Sequence, residues 1–76
     1  MDATKTQLRV LKWMLKFQAR HGFMPTIREI CAGFRWAGTQ AARNHLEGLR
    51  VAGMVEAANG KARAHVVTPS GRRAAR

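Results

Sequence analysis

Up to about residue 53 the apolar residues of this chain recur at three- and four-residue spacing, the period of a helix that buries one face; beyond that point they alternate, as in a strand. The helices can be marked by their ends as well as by their stripes. Thr4-Lys5-Thr6-Gln7 has the form of a capping box, in which a threonine oxygen takes an orphan N–H and a glutamine three residues on reaches back to the backbone. The helix it opens is expected to run to about His21 and to stop at Gly22, since glycine takes a left-handed conformation without strain. Val10, Trp13, Met14 and Phe17 are read as its core face, with Arg9, Lys12, Lys16 and Arg20 on the other side. Leu8 and Leu15 fall outside that stripe and share a separate edge with Ala19; a widened core face accounts for them better than a patch kept for a partner.

Phe23-Met24-Pro25 reads as an extended link, because the residue before proline is pushed out of the helical region. Thr26-Ile27-Arg28-Glu29 is a second capping box, opening a short helix that carries Ile27, Ile30, Cys31 and Phe34 and ends near Arg35. Cys31 on that apolar face is a small core filler rather than a nucleophile, since no histidine partner or metal spacing accompanies it. Trp36-Ala37-Gly38 then forms a turn, and a third helix begins at Gly38 or Thr39 and runs over 38–52, up to Gly53. Ala42, His45, Leu46 and Leu49 face inward; Gln40, Arg43, Asn44, Glu47 and Val51 face outward. Two short helices joined by a tight turn, the second with a polar outer face, form a helix-turn-helix.

After Gly53, Met54–Ala58 alternates loosely and meets Asn59-Gly60, a hairpin-turn dipeptide. Ala64–Thr68 is the return strand, and Lys61 and Arg63 lie at or beside the tip. Thr68-Pro69 is a helix cap followed by proline at the first helical position, which opens a short helix or a frayed turn through Arg72, Arg73 and Arg76. The expected fold is mainly α with a small β-hairpin: a winged helix-turn-helix of three helices plus a two-stranded wing over residues 1–68, followed by a basic tail or short helix over 69–76.

Charge narrows the function. The chain has 76 residues, enough for one domain, and sets fourteen Lys and Arg against four Asp and Glu for a net charge of +10. Such an excess is the footprint of a polyanion partner. Nucleic acid ranks ahead of an anionic membrane surface, which would want a basic amphipathic helix with its apolar face free for lipid. No run approaches the ~18 apolar residues of a membrane span, no secretory signal is evident, and a lone cysteine fits a reducing cytoplasm.

The third helix carries the candidate chemistry. Gln40 and Asn44, one turn apart, project from one face, and either amide can donate to and accept from adenine. Arg43 can fork onto guanine, and Ala41 is small enough for close backbone approach or contact with a thymine methyl. Glu47 reads as solvated helix face. Arg28, Arg35, Lys61 and Arg63 are candidates for the phosphate contacts that set register, aided by backbone N–H groups at the start of the third helix. His45 reads as a packed inner-face residue, and His21 and His65 lie too far from other ligands to form a zinc site. Scattered carboxylates and the absence of a phosphate-binding glycine loop speak against an enzyme. No cofactor, metal or small-molecule ligand is expected.

From Thr4 to Glu56 the sequence resembles the N-terminal DNA-binding domain of LexA, the bacterial SOS repressor. The stations shared are Thr4, Gln7, Val10, Gly22, Pro25-Thr26, Glu29-Ile30, Ala41-Ala42, His45-Leu46, Leu49, Gly53 and Glu56. The resemblance puts operator-reading positions on Gly38, Gln40, Ala41, Arg43 and Asn44, and Thr39 completes that set. The family carries a small polar residue, an Asn and an acidic pair where this chain has Gly38, Gln40, Arg43 and Asn44, so the docking mode carries over and the operator sequence does not. The family continues into a self-cleaving, dimerising domain, and the sequence ends before one. Ala37-Gly38 and Ala52-Gly53 lie inside the fold and are not read as linker cleavage sites. The function expected is a sequence-specific regulator of bacterial or phage origin, a repressor, cytoplasmic, on double-stranded DNA and as a homodimer on paired half-sites if it dimerises. A winged-helix module that binds another regulator or polymerase, and a non-specific DNA-binding protein, are the alternatives.

Overall fold

The computed structural model describes residues 4–57 and 65–75. They run α1 (Lys5–His21), α2 (Ile27–Phe34), α3 (Gln40–Val51), β1 (Val55–Ala57), β2 (His65–Val67) and α4 (Pro69–Ala74). The two strands form one antiparallel sheet, so the chain is a winged helix-turn-helix with a fourth helix formed where a helix or a frayed turn was expected. The tip of the wing, with Lys61 and Arg63, lies outside the described residues. No helix among the described residues is long and apolar enough to cross a membrane.

Both capping boxes form. The Thr4 hydroxyl accepts the Gln7 N–H at 3.1 Å while the Gln7 side chain takes the Thr4 N–H at 3.0 Å. Thr26 and Glu29 make the same exchange at 3.1 and 2.8 Å. α1 ends on Gly22 at φ 84°, which favours glycine, and the Gly22 N–H closes on the Gln18 carbonyl at 2.8 Å.

The core joins Val10, Leu11 and Met14 of α1, Ile30 and Cys31 of α2, Ala42, Leu46 and Leu49 of α3, and Val55 and Val67 of the hairpin. The face expected on α1 is displaced: Leu11 is fully buried with Val10 and Met14, while Trp13 and Phe17 are half-buried. The line along which α1 meets α3 runs through the smaller side chains. The two aromatic residues sit on its flank, where Trp13 meets Phe34 edge to face at 5.8 Å. On the opposite flank Leu8 and Leu15 pack against the core, so the apolar face is widened; Ala19 is left exposed. In the hairpin, Val55 pairs with Val67 on the buried face and Glu56 with Val66 on the exposed one, as a two-residue period requires.

α4 is stapled to the end of α3 through Thr68. Its hydroxyl donates to the Gly53 carbonyl at 2.7 Å and accepts the Gly71 N–H at 3.0 Å, while its backbone N–H donates to Met54 O at 3.0 Å. Gly71 is buried there, and a Cβ on it would overlap the Met54 carbonyl oxygen and come within 2.9 Å of Val67 Cγ1. Glycine to alanine in an open helix stabilises by about 1 kcal/mol. Here Gly71→Ala is expected to destabilise the domain by roughly 1–3 kcal/mol, the usual cost of overpacking. The sign of the change in urea midpoint decides between the two.

Candidate nucleic-acid interface

The helix-turn-helix depends on how α2 ends. Trp36 N–H donates to Cys31 O at 2.9 Å and Arg35 N–H to Ala32 O at 3.3 Å, the pair of bonds that usually closes a helix over glycine. Here the left-handed residue is Arg35, at φ 58°. The buried Cys31 thiol donates to the Gly38 carbonyl at 3.2 Å and so ties α2 to the turn before α3. Trp36 stacks on His45 at 5.2 Å, which gives His45 a packing role on the half-buried side of α3.

α3 starts at Gln40, later than the expected start at Gly38 or Thr39. Thr39 is the cap residue but already has helical angles (φ −84°, ψ −12°), and its side chain makes no capping bond. A threonine in that conformation does not aim its hydroxyl at the first-turn N–H groups, so the pattern that marks the starts of α1 and α2 is lost. Gly38 and Thr39 therefore belong to the turn; Gly38 is exposed and Thr39 half-buried. At the other end α3 closes on Gly53, left-handed at φ 76°, with Met54 N–H to Leu49 O at 2.9 Å and Gly53 N–H to Arg50 O at 3.0 Å.

Along α3, Ala42, Leu46 and Leu49 are buried and Gln40, Arg43, Asn44, Glu47 and Val51 are exposed, the two faces read from the sequence. Ala41 lies between them and is half-buried. Gln40 Nε2 donates to Asn44 Oδ1 at 2.8 Å, so the two amides are held together and present one polar edge. Glu47 grips Arg50 through two bonds, from Nε at 2.9 Å and from Nη2 at 2.5 Å. The guanidinium hydrogen bonds hold the Glu47 carboxyl below its usual pKa, and the carboxylate in turn raises that of Arg50.

Beside this face, between α3 and the hairpin, lies a groove of about 350 Å³ bordered by Arg43, Asn44, Glu47, Arg50 and His65. Neither Arg50 nor His65 is among the site residues the sequence leads one to expect. Arg50 stands two turns after Arg43 on the same flank, a spacing that could have flagged it. His65 arrives by the pairing of Ala57 with His65, which no local pattern announces. Of the four phosphate candidates, Arg28 is exposed near the start of α2. Arg35 borders a second groove with Arg9, Lys12 and Lys16 of α1. Among the described residues no cluster of three or more His, Cys, Asp and Glu could hold a metal ion.

His65 is half-buried, and its Nδ1 is buried without a hydrogen-bond partner among the described residues. Burial disfavours the imidazolium and lowers its pKa from the ordinary histidine value. The unfolded chain then binds the proton more readily, so folding stability falls as pH drops through about 6.5 and levels off below the folded-state pKa. His65→Asn removes that contribution. The difference in urea midpoint between the two chains, followed from pH 8 to pH 5, is expected to narrow or reverse in favour of His65→Asn on acidification; a gap widening in favour of wild type would contradict it.

The model of the LexA DNA-binding domain family matches residues 1–64. The LexA repressor of Desulfatibacillum aliphaticivorans is 36% identical over 72 residues, covering 92% of this chain and 36% of the relative. That of Thermotoga neapolitana is 39% identical over 69 residues, covering 91% and 34%. That of Limosilactobacillus fermentum is 33% identical over 70 residues, covering 92% and 34%. The chain thus spans about a third of the length of the curated relatives it matches. Match, fold and the two faces of α3 agree, and the chain belongs to the LexA DNA-binding domain family.

Proposed function

We propose that this domain is the sequence-reading part of a transcriptional repressor, of bacterial or phage origin, acting on double-stranded DNA in the cytoplasm. The observation that carries the reading is the outer face of α3, where Gln40, Arg43 and Asn44 stand exposed above a buried Ala42, Leu46 and Leu49. A rigid helix with its polar edge outward is the element that enters a major groove. In this reading Arg43 takes a guanine, the joined Gln40–Asn44 amides take an adenine or its neighbour, and Gly38, Thr39 and Ala41 let the backbone come close. First-turn N–H groups left free by Thr39 face a phosphate, and Arg28, Arg35, Lys61 and Arg63 follow the backbone.

One module of this size buries roughly 600–1,000 Å² on DNA, so tight binding calls for a dimer on paired half-sites. Salt titration tests the electrostatic half of the proposal. Each phosphate neutralised contributes about −0.9 to the slope of log K against log salt, and four basic contacts predict a slope of roughly −3 to −4. Binding to duplex DNA that ignores salt, or no binding at micromolar protein, contradicts it.

A further inference from the structure

We propose that the groove between α1 and the α2–α3 turn is a second nucleic-acid surface. It takes a single strand, stacking bases on Trp13 and Trp36 and pairing phosphates with Arg9, Lys12, Lys16 and Arg35.

Three observations meet there. The first is charge. α1 has no acidic residue and carries Lys5, Arg9, Lys12, Lys16 and Arg20, all exposed and three or four residues apart. That spacing puts them on one stripe. Like charges one turn apart weaken the helix that holds them, so the stripe opposes α1's own stability and suits a polyanion.

The second is the aromatic border. Ring contacts run without a break from Phe17 to Trp13 (5.5 Å), Phe34 (5.8 Å), Trp36 (4.8 Å) and His45 (5.2 Å). Trp13, Phe34 and Trp36 are half-buried, and with the cations they line a groove of about 740 Å³. Glycine at position 33 makes room for it: a Cβ would overlap the Trp13 indole, so the ring lies directly on α2. Cations interleaved with aromatic rings form the platform on which unpaired bases stack. A duplex hides its base faces and would use only the charges.

The third is direction. α1 and α3 pack through Val10, Leu11 and Met14 on one side and Ala42, Leu46 and Leu49 on the other. The basic stripe of α1 and the polar face of α3 point away from that seam in opposite directions, across a body with extents of 27 × 24 × 24 Å. The groove therefore lies apart from the base-reading positions of α3 and shares only Arg35 with the proposed phosphate contacts.

Both tryptophans of the chain border this groove, which supplies the probe. Titration of the whole chain with a thymidine oligonucleotide of about twelve residues is expected to quench tryptophan emission saturably. Lys12→Gln with Lys16→Gln should weaken that binding roughly tenfold, while Arg72→Gln with Arg73→Gln, of equal charge loss on α4, stays within about twofold. The proposal is overturned by an equal loss in the two double variants, by a bound strand that leaves the emission unchanged, or by equal quenching from a duplex of the same length. Equal quenching by an acidic oligopeptide overturns it too, in favour of a protein partner.

Discussion

A Leu49→Ala chain is expected to be less stable than wild type by about 2–5 kcal/mol, the cost of deleting most of a buried leucine and leaving a cavity. A domain of this length has roughly 4–11 kcal/mol to lose, so the substitution takes a large share of it. Leu49 has no exposed surface and lies on the inner face of α3 in the cluster that joins Leu46, Val55 and the α1 side chains. Its carbonyl also accepts the Met54 N–H that turns the chain from α3 into the wing. That bond survives in alanine, but loss of the side chain removes packing in the cluster shared with Val55 and so loosens both the helix and the hairpin. Urea unfolding followed by circular dichroism gives the number. A loss below 1 kcal/mol would mean that Leu49 is not a centre of the core. Because the side chain does not reach the outer face, DNA affinity measured well below the unfolding midpoint should stay near wild type.

The opposite split is expected on the outer face. Replacing Gln40, Arg43 and Asn44 together by alanine removes three exposed side chains and puts a strong helix former at each position, so α3 stays folded. Each base contact is worth about 1–3 kcal/mol of discrimination. The preference for the best duplex over a scrambled one should therefore fall by roughly a hundredfold or more. Non-specific affinity drops only by the single charge of Arg43, about one unit of salt slope. If both affinities fall in parallel, the three residues position or support the domain and do not read bases.

Most of the frame was legible because it is coded locally. The boxes at Thr4–Gln7 and Thr26–Glu29, the stop at Gly22 and the two faces of α3 each depend on residues within two helical turns. What escaped was coded by neighbours in space. The burial of Leu11 ahead of Trp13 and Phe17 follows from where α3 crosses α1. The start expected for α3 at Gly38 or Thr39 falls before the observed Gln40, where Thr39 is the cap residue but has already turned helical. Arg35 turns left-handed without the glycine that would announce it, and it borders a groove with the cations of α1. His65 joins Arg43, Asn44 and Arg50 only through the register of the hairpin.

Selection from a random duplex pool tests most directly whether α3 is the reader of sequence. Wild-type protein should enrich a short motif, and the chain with alanine at 40, 43 and 44 should enrich none or a motif stripped of its central positions. The same motif recovered by both chains, or no enrichment by wild type, would contradict it.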